Sequence, residues 1–330
     1  MSENHIYIFC LFVVVILIVY YNYSTSKCER YTNLKTPFPI DVVYTWAGEK
    51  KSLDIRLSNN NELKYSLRSV FQFMPWINHV YILMNPPKNK PSWFKLNYSK
   101  KITIVDHNDT FEDKGYLPTT NSNSIETTIN NIPNLSEHFI YFNDDFFIGR
   151  PVKYTDFFTN DGKIVVYYRQ VTNCGAMQKP GKKIVNFDLP IYCGISYHIP
   201  LPNKKSIINK FNDRYKKYIH WVRNIKKRNG RGYDKCRESN LANWCQQQHT
   251  AMVKFAYDNN EAVIKRYDNK SIMYYESTYD IKKLYAIKVH KPMFYCINDA
   301  YNFKNLNYKF KLYNKINEFL EHYYEKTFCE

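Results

Sequence analysis

The chain has 330 residues, 44% of them hydrophobic, so it can bury a substantial core and is not a disordered or peptide-sized protein. Its 47 basic and 30 acidic residues leave a net charge of +17, which favours anionic partners such as nucleotide phosphates, an anionic glycan or a membrane surface. A nucleic-acid role is not expected, because the basic residues are dispersed and not interleaved with a recognisable binding module.

Residues 1–5 form a short head. The uncharged run IYIFCLFVVVILIVYY comes next at 6–21, and Tyr at either end extends it toward the length of a spanning helix. It reads either as a transmembrane signal-anchor over 6–23 or as a signal peptide cleaved near Ser24-Thr25-Ser26; its length favours the anchor. The charges Lys27, Arg30 and Lys35 argue against export of the C-terminal part, yet a long C-terminal domain usually crosses behind such a segment. The expectation is therefore a single-pass protein with a lumenal or extracellular domain, Golgi- or ER-like in a eukaryotic host. Asn-x-Ser/Thr sequons at Asn22, Asn97, Asn108, Asn134 and Asn269 are consistent with a glycoprotein. Outside the apolar run there are seven cysteines, an odd number, so at least one thiol is free or intermolecular. No pair has the short spacing of a zinc site.

Residues 24–39 read as a linker, and 40–330 as the catalytic domain. IDVVYTW at 40–46 is strand-like and stops at Ala47-Gly48. NNNELKYSLRSVFQFM has helical spacing at Leu63, Leu67, Val70, Phe71 and Met74, with Asn as N-cap and Pro75 as terminator. HVYILM (79–84) and KITIVDH (101–107) predict two more strands. Ser124-Ile125-Glu126 opens a helix that closes before Pro133, and FIYFNDDFFIG (139–149) predicts a fourth strand. This order predicts an α/β fold with a mostly parallel sheet flanked by helices. Further on, KIVVYY (163–168) predicts a strand, YHIPLPNKKSIINKF a turn and a helix start, 226–235 a basic loop and 241–257 a helix. PMFYCINDA (292–300) is a short apolar run ending at Asn298-Asp299. Leu312, Ile316, Phe319, Leu320 and Tyr323 mark an amphipathic helix that packs on the domain.

Adjacent carboxylates inside the apolar run 139–149 are costly unless paired or metal-bound. A strand end that delivers Asp144 and Asp145 into a crevice explains them; a helix cap or a surface salt bridge is the plainer alternative. Asp41 and Asp299 also lie at the edges of β-like runs, so all four acids could converge on one pocket. Arg68 and Arg237 are candidates for bidentate phosphate contacts, though a single Arg is more often a salt-bridge residue. His198 is a candidate general base, though a lone loop His is usually not catalytic.

Four blocks in order resemble the Stealth family of sugar-phosphate transferases. They are IDVVYTW; residues 56–152 with ELKYSLRSV, ITIVDHNDTF and FIYFNDDFFIG; YHIPLP with CRES; and FYCIND. The resemblance implies a nucleotide-sugar-transferase-like core and transfer of a hexose 1-phosphate, for example N-acetylglucosamine 1-phosphate. The donor would be a UDP-sugar, the acceptor a hydroxyl of a glycan or glycoprotein, and the product nucleoside monophosphate. It implies Mg2+ or Mn2+ at Asp144, Asp145 and Asp299, and His198, Asp145 and Arg237 as the catalytic set. Asp41, Tyr44, Thr45, Trp46, Arg68, Asn143 and Asn298 would contact the substrates. The rival readings are a metal-dependent glycosyltransferase releasing nucleoside diphosphate and an inactive surface glycan-binding protein. Trp46 leads here to Ala47-Gly48-Glu49-Lys50, a departure from the family pattern that bears on donor preference.

Overall fold

A computed structural model describes residues 5, 12–15, 35–48, 59–85, 91–94, 101–168, 198–226, 248–267, 271–276, 281–298 and 306–324. Most of the predicted membrane anchor, the linker, Arg237 and Asp299 lie outside the described residues, as does 241–247 of the predicted helix. Among the described residues no helix is long and apolar enough to cross a membrane.

In chain order the elements are β1 (Ile40–Trp46), α1 (Glu62–Phe73), β2 (Val80–Met84), β3 (Ile102–Asp106), α2 (His107–Thr110), α3 (Ser122–Glu126), β4 (His138–Asn143), β5 (Phe146–Ile148), β6 (Ile164–Tyr168), β7 (Leu201–Lys204), α4 (Lys205–Arg214), α5 (Lys216–Asn224), α6 (Gln248–Asp258), β8 (Ala262–Arg266), β9 (Ile272–Glu276), α7 (Ile281–His290), β10 (Phe294–Asn298) and α8 (Leu306–Tyr323).

The main sheet has the order β3-β2-β1-β4-β7. Its first four strands are parallel. Their continuous apolar runs reflect burial on both faces: every residue of β2 is buried, and in β1 only Thr45 is partly exposed. Parallel neighbours need crossovers, and α1 carries the chain from β1 to β2. The antiparallel edge strand β7, LPNK, stands where the sequence pattern predicts a turn. At a sheet edge its proline is tolerated, since a missing donor there breaks no internal ladder.

FIYFNDDFFIG does not form one strand. β4 stops at Asn143, Asp144-Asp145 make a turn, and β5 joins a second sheet of order β5-β10-β9. Two carboxylates cannot continue through an apolar double layer without a large desolvation cost, so the chain leaves the main sheet where they occur. The predicted helix after Ser124 is also divided. α3 ends at Glu126, and the hydroxyls of Thr127 and Thr128 donate back to the carbonyls of Ser124 (2.7 Å) and Ile125 (2.9 Å) before a short 3-10 turn over Ile129–Asn131.

The C-terminal helix packs as its periodicity predicts. Leu312, Ile316 and Leu320 are buried with Phe147, Tyr295 and Ile297. Phe147 stacks on Tyr295 at 5.0 Å, and the Tyr324 hydroxyl just past α8 donates to the Ile148 carbonyl at 2.9 Å. Gly149 lets β5 approach the chain entering β10: a Cβ there would collide with the Pro292 carbonyl oxygen, a backbone atom with no room to yield.

This packing also reassigns Arg68. It lies on α1 with 2% of its side chain exposed and donates from Nη1 to Glu321 Oε2 on α8 at 2.9 Å, with its guanidinium 5.2 Å from the Tyr65 ring. It ties two helices together instead of facing a substrate. Arg68→Ala is therefore expected to destabilise the protein by roughly 1–3 kcal/mol, since it opens a cavity at a fully buried position and breaks the tie to Glu321, with donor KM unchanged. Urea denaturation beside steady-state kinetics tests this; a raised donor KM at unchanged stability would restore Arg68 to the substrate site.

Candidate active site

The carboxyl ends of β1 and β4 lie side by side, with Thr45 in register with Asn143. Between them runs a polar network. The Tyr141 hydroxyl donates its one proton to Asn143 Oδ1 (2.7 Å), with Glu126 Oε1 (3.1 Å) and Thr45 Oγ1 (2.9 Å) also within hydrogen-bond distance. Burial raises the Tyr141 phenol far above its ordinary range, and Glu126 adds to that, so it remains a neutral donor. Trp46 is buried at the end of β1.

One residue beyond Asn143 is the acid turn. Burial raises the Asp144 carboxyl above the usual carboxylate range, and Asp145 beside it raises it further. Burial raises Asp145 as well, against a hydrogen bond from the Cys296 thiol that pulls it down, while Glu62 pushes it up. Glu62, the first residue of α1, is a third member, pushed up to about 7 by burial and then by Asp144. Asn61 does not cap α1 through its side chain, and its φ is 65°. The Glu62 carboxylate instead accepts from the Asn60 backbone N–H at 2.6 Å and the Asn60 amide at 2.8 Å.

The second sheet brings the other side of the site. The Ile297 N–H on β10 donates to the Asp145 carbonyl at 3.1 Å. The Cys296 thiol donates to Asp145 Oδ2 at 3.3 Å, and its sulfur lies 3.9 Å from His198 Nδ1. The His198 ring meets Phe146 edge-on at 6.3 Å. The other carboxylate oxygen, Asp145 Oδ1, is buried with no hydrogen-bond partner among the described residues. Thus Asp145 and His198, distant in sequence, converge on one thiol. Asn298 ends β10 two residues past that thiol.

Besides Arg68, two sequence-predicted residues stand apart from this cluster. Asp41 lies at the amino end of β1, four residues or about 13 Å before Thr45. Its oxygens accept from Asn78 Nδ2 (2.8 Å) and the Ser136 N–H (2.7 Å), so it joins the entries of β2 and β4 at the other end of the sheet. Tyr44 points into the core, with no exposed area and its hydroxyl 2.8 Å from Ser66 Oγ, which in turn donates to the Phe146 carbonyl; it supports the turn from beneath. The sequence pattern does not single out Glu62, Glu126, Tyr141 or Cys296 as site residues. For Cys296 the available signal is a polarisable thiol inside the apolar run before Ile297-Asn298, a signal that a count of cysteines for disulfide pairing passes over.

The family model for Stealth protein CR2, conserved region 2, matches residues 56–166, which include α1, the acid turn and β5. Over these residues the chain resembles the Stealth family. It is 44% identical over 148 residues to the capsular polysaccharide phosphotransferase LcbA of Neisseria meningitidis, covering 38% of this chain and 40% of that one. To the capsular polysaccharide phosphotransferase fcs1 of Haemophilus influenzae it is 34% identical over 223 residues, covering 56% and 60%. The chain therefore matches about half the length of these curated relatives. Among solved structures an active-site mutant of LgtC aligns with a TM-score of 0.44 and 10% identity over 78% of this chain and 86% of that one, a loose likeness.

Proposed function

We propose that this chain is a Stealth-type phosphotransferase of polysaccharide biosynthesis. In this reading it transfers a hexose 1-phosphate from a nucleotide sugar, a UDP-sugar by family resemblance, to a hydroxyl of a glycan or glycoprotein acceptor. The observation that carries the proposal is the convergence of the Asp144-Asp145 turn and His198 on Cys296. The acceptor oxygen attacks the sugar-bearing phosphorus, the bond from that phosphorus to the bridging oxygen breaks, and nucleoside monophosphate leaves with that oxygen. His198 takes the proton of the acceptor hydroxyl. Arg237, outside the described residues, is proposed to meet charge on the transferring phosphoryl group. Thr45, Trp46, Asn143 and Asn298, at or next to the carboxyl ends of their strands, form the proposed substrate edge.

The acid turn suits a divalent cation, Mg2+ or Mn2+. Asp144 and Asp145 would hold it, with Asp299 as a further ligand outside the described residues. The unpartnered Asp145 Oδ1 and the raised carboxyls are what a site awaiting positive charge looks like. Among the described residues no group of three His, Cys, Asp or Glu is placed to hold a metal, so the proposed cation takes its other ligands from Asp299, phosphate and water. When bound, it supplies charge neutralisation at the diphosphate. Anchoring by residues 6–23, with the domain lumenal or extracellular, belongs to the same proposal and rests on the apolar run at 6–21.

Product analysis is the test. Incubated with a panel of UDP-sugars, an oligosaccharide acceptor and Mg2+ or Mn2+, the protein is expected to release UMP. Release of UDP would make it a glycosyltransferase instead.

A further inference from the structure

We propose that Cys296 is a positioning residue that fixes both the acid and the base of this site; the inference rests on the phosphotransferase reading and deepens it. Cys296 is completely buried on β10, between Asp145 Oδ2 at 3.3 Å and His198 Nδ1 at 3.9 Å. A thiol has one proton, and a carboxylate can only accept, so that proton goes to Asp145. The sulfur then presents lone pairs to His198, and the partner that suits them is an N–H at Nδ1. A neutral imidazole carries one ring proton, so a protonated Nδ1 makes Nε2 the basic nitrogen. The order Nδ1–H to Sγ–H to Oδ2 thus selects the His198 tautomer whose Nε2 can take the acceptor hydroxyl's proton. The same thiol occupies Oδ2 and leaves the buried Oδ1 as the oxygen of Asp145 offered to a ligand.

Register supports the arrangement. Cys296 pairs with Phe146, the residue after the acid turn, and the next residue, Ile297, donates its N–H to the Asp145 carbonyl. Strand pairing and side-chain hydrogen bonding therefore hold Asp145 from the same two residues of β10. Packing alone would rank substitutions differently. A buried position in an apolar cluster takes Ala more readily than Ser, because Ser brings a hydroxyl that must find partners. A positioning role reverses the order, since Ser can donate to Asp145 and accept from His198 as the thiol does.

The experiment compares wild type, Cys296→Ser and Cys296→Ala, each checked for folding by circular dichroism. Cys296→Ala is expected to lower kcat for monophosphate release about 10- to 100-fold with donor KM changed less than about twofold, and Cys296→Ser to recover most of that loss. In parallel, 15N-histidine-labelled proteins are examined by NMR at pH 8, with the His198 signal assigned by its loss in His198→Gln. Wild type and Cys296→Ser are expected to carry the ring proton on Nδ1, and Cys296→Ala on Nε2. An unchanged tautomer in Cys296→Ala, a wild-type kcat in that variant, or a Ser variant no better than Ala would overturn the proposal. Wild-type protein that makes diphosphate or no product defeats the phosphotransferase reading instead; the tautomer measurement still decides what Cys296 does.

Discussion

Asp145→Asn is expected to reduce monophosphate release by at least about 1,000-fold while raising the melting temperature of the metal-free protein at pH 8. The loss comes from removing a charge that phosphoryl transfer uses for positioning and neutralisation, which together supply most of the acceleration. The gain comes from the same burial. Asp144, Asp145 and Glu62 all have carboxyl groups raised above their ordinary values, Glu62 to about 7. For such an acid the folded state holds more protons than the unfolded state between about pH 4 and 7, so stability falls as pH rises through that window. Above it the full cost of the ionised carboxylates is present. Removing one charge at pH 8 relieves part of that cost, on the order of 1–2 kcal/mol once discounted for the partial exposure of the turn. Wild-type protein without divalent cation should likewise melt higher at pH 5.5 than at pH 8, and Mg2+ or Mn2+ at pH 8 should recover part of the difference. Calorimetry with and without the cation checks both. An Asp145→Asn variant that is inactive but less stable at pH 8 would mean that the carboxylate is a satisfied structural group.

His198→Ala is expected to lower kcat by about 100- to 10,000-fold, the usual range for removal of a general base, with donor KM nearly unchanged. The ring contacts Phe146 and faces Cys296, so its loss leaves a small cavity beside β5 without breaking a strand pairing. Added imidazole should restore part of the rate in the Ala variant. Single-turnover release of UMP separates chemistry from product release, and a wild-type rate there would remove His198 from the reaction.

Local pattern carried much of this fold. IDVVYTW, VYILM, ITIVD, IVVYY and FYCIN form strands within a residue or two of their apolar runs, because strand burial writes itself into consecutive residues. The amphipathic spacing of Leu312, Ile316 and Leu320 did the same for α8. LPNK escapes such a reading because whether a proline breaks a strand depends on whether the strand is at an edge. The acid pair is visible as an expensive feature, but whether the chain continues through it or turns depends on a second sheet whose partner, β10, comes about 150 residues later.

By itself, then, the sequence determined the existence and order of the main strands, the cost of Asp144-Asp145 and the family blocks, since each is written in adjacent or regularly spaced residues. Only the tertiary structure decided which polar groups meet. It set Asp41 at the far end of β1 and paired Arg68 with Glu321, 253 residues away. It also brought Cys296 between Asp145 and His198, 151 and 98 residues distant. Such contacts depend on strand order and on which end of a parallel sheet a residue occupies, and no local spacing encodes either.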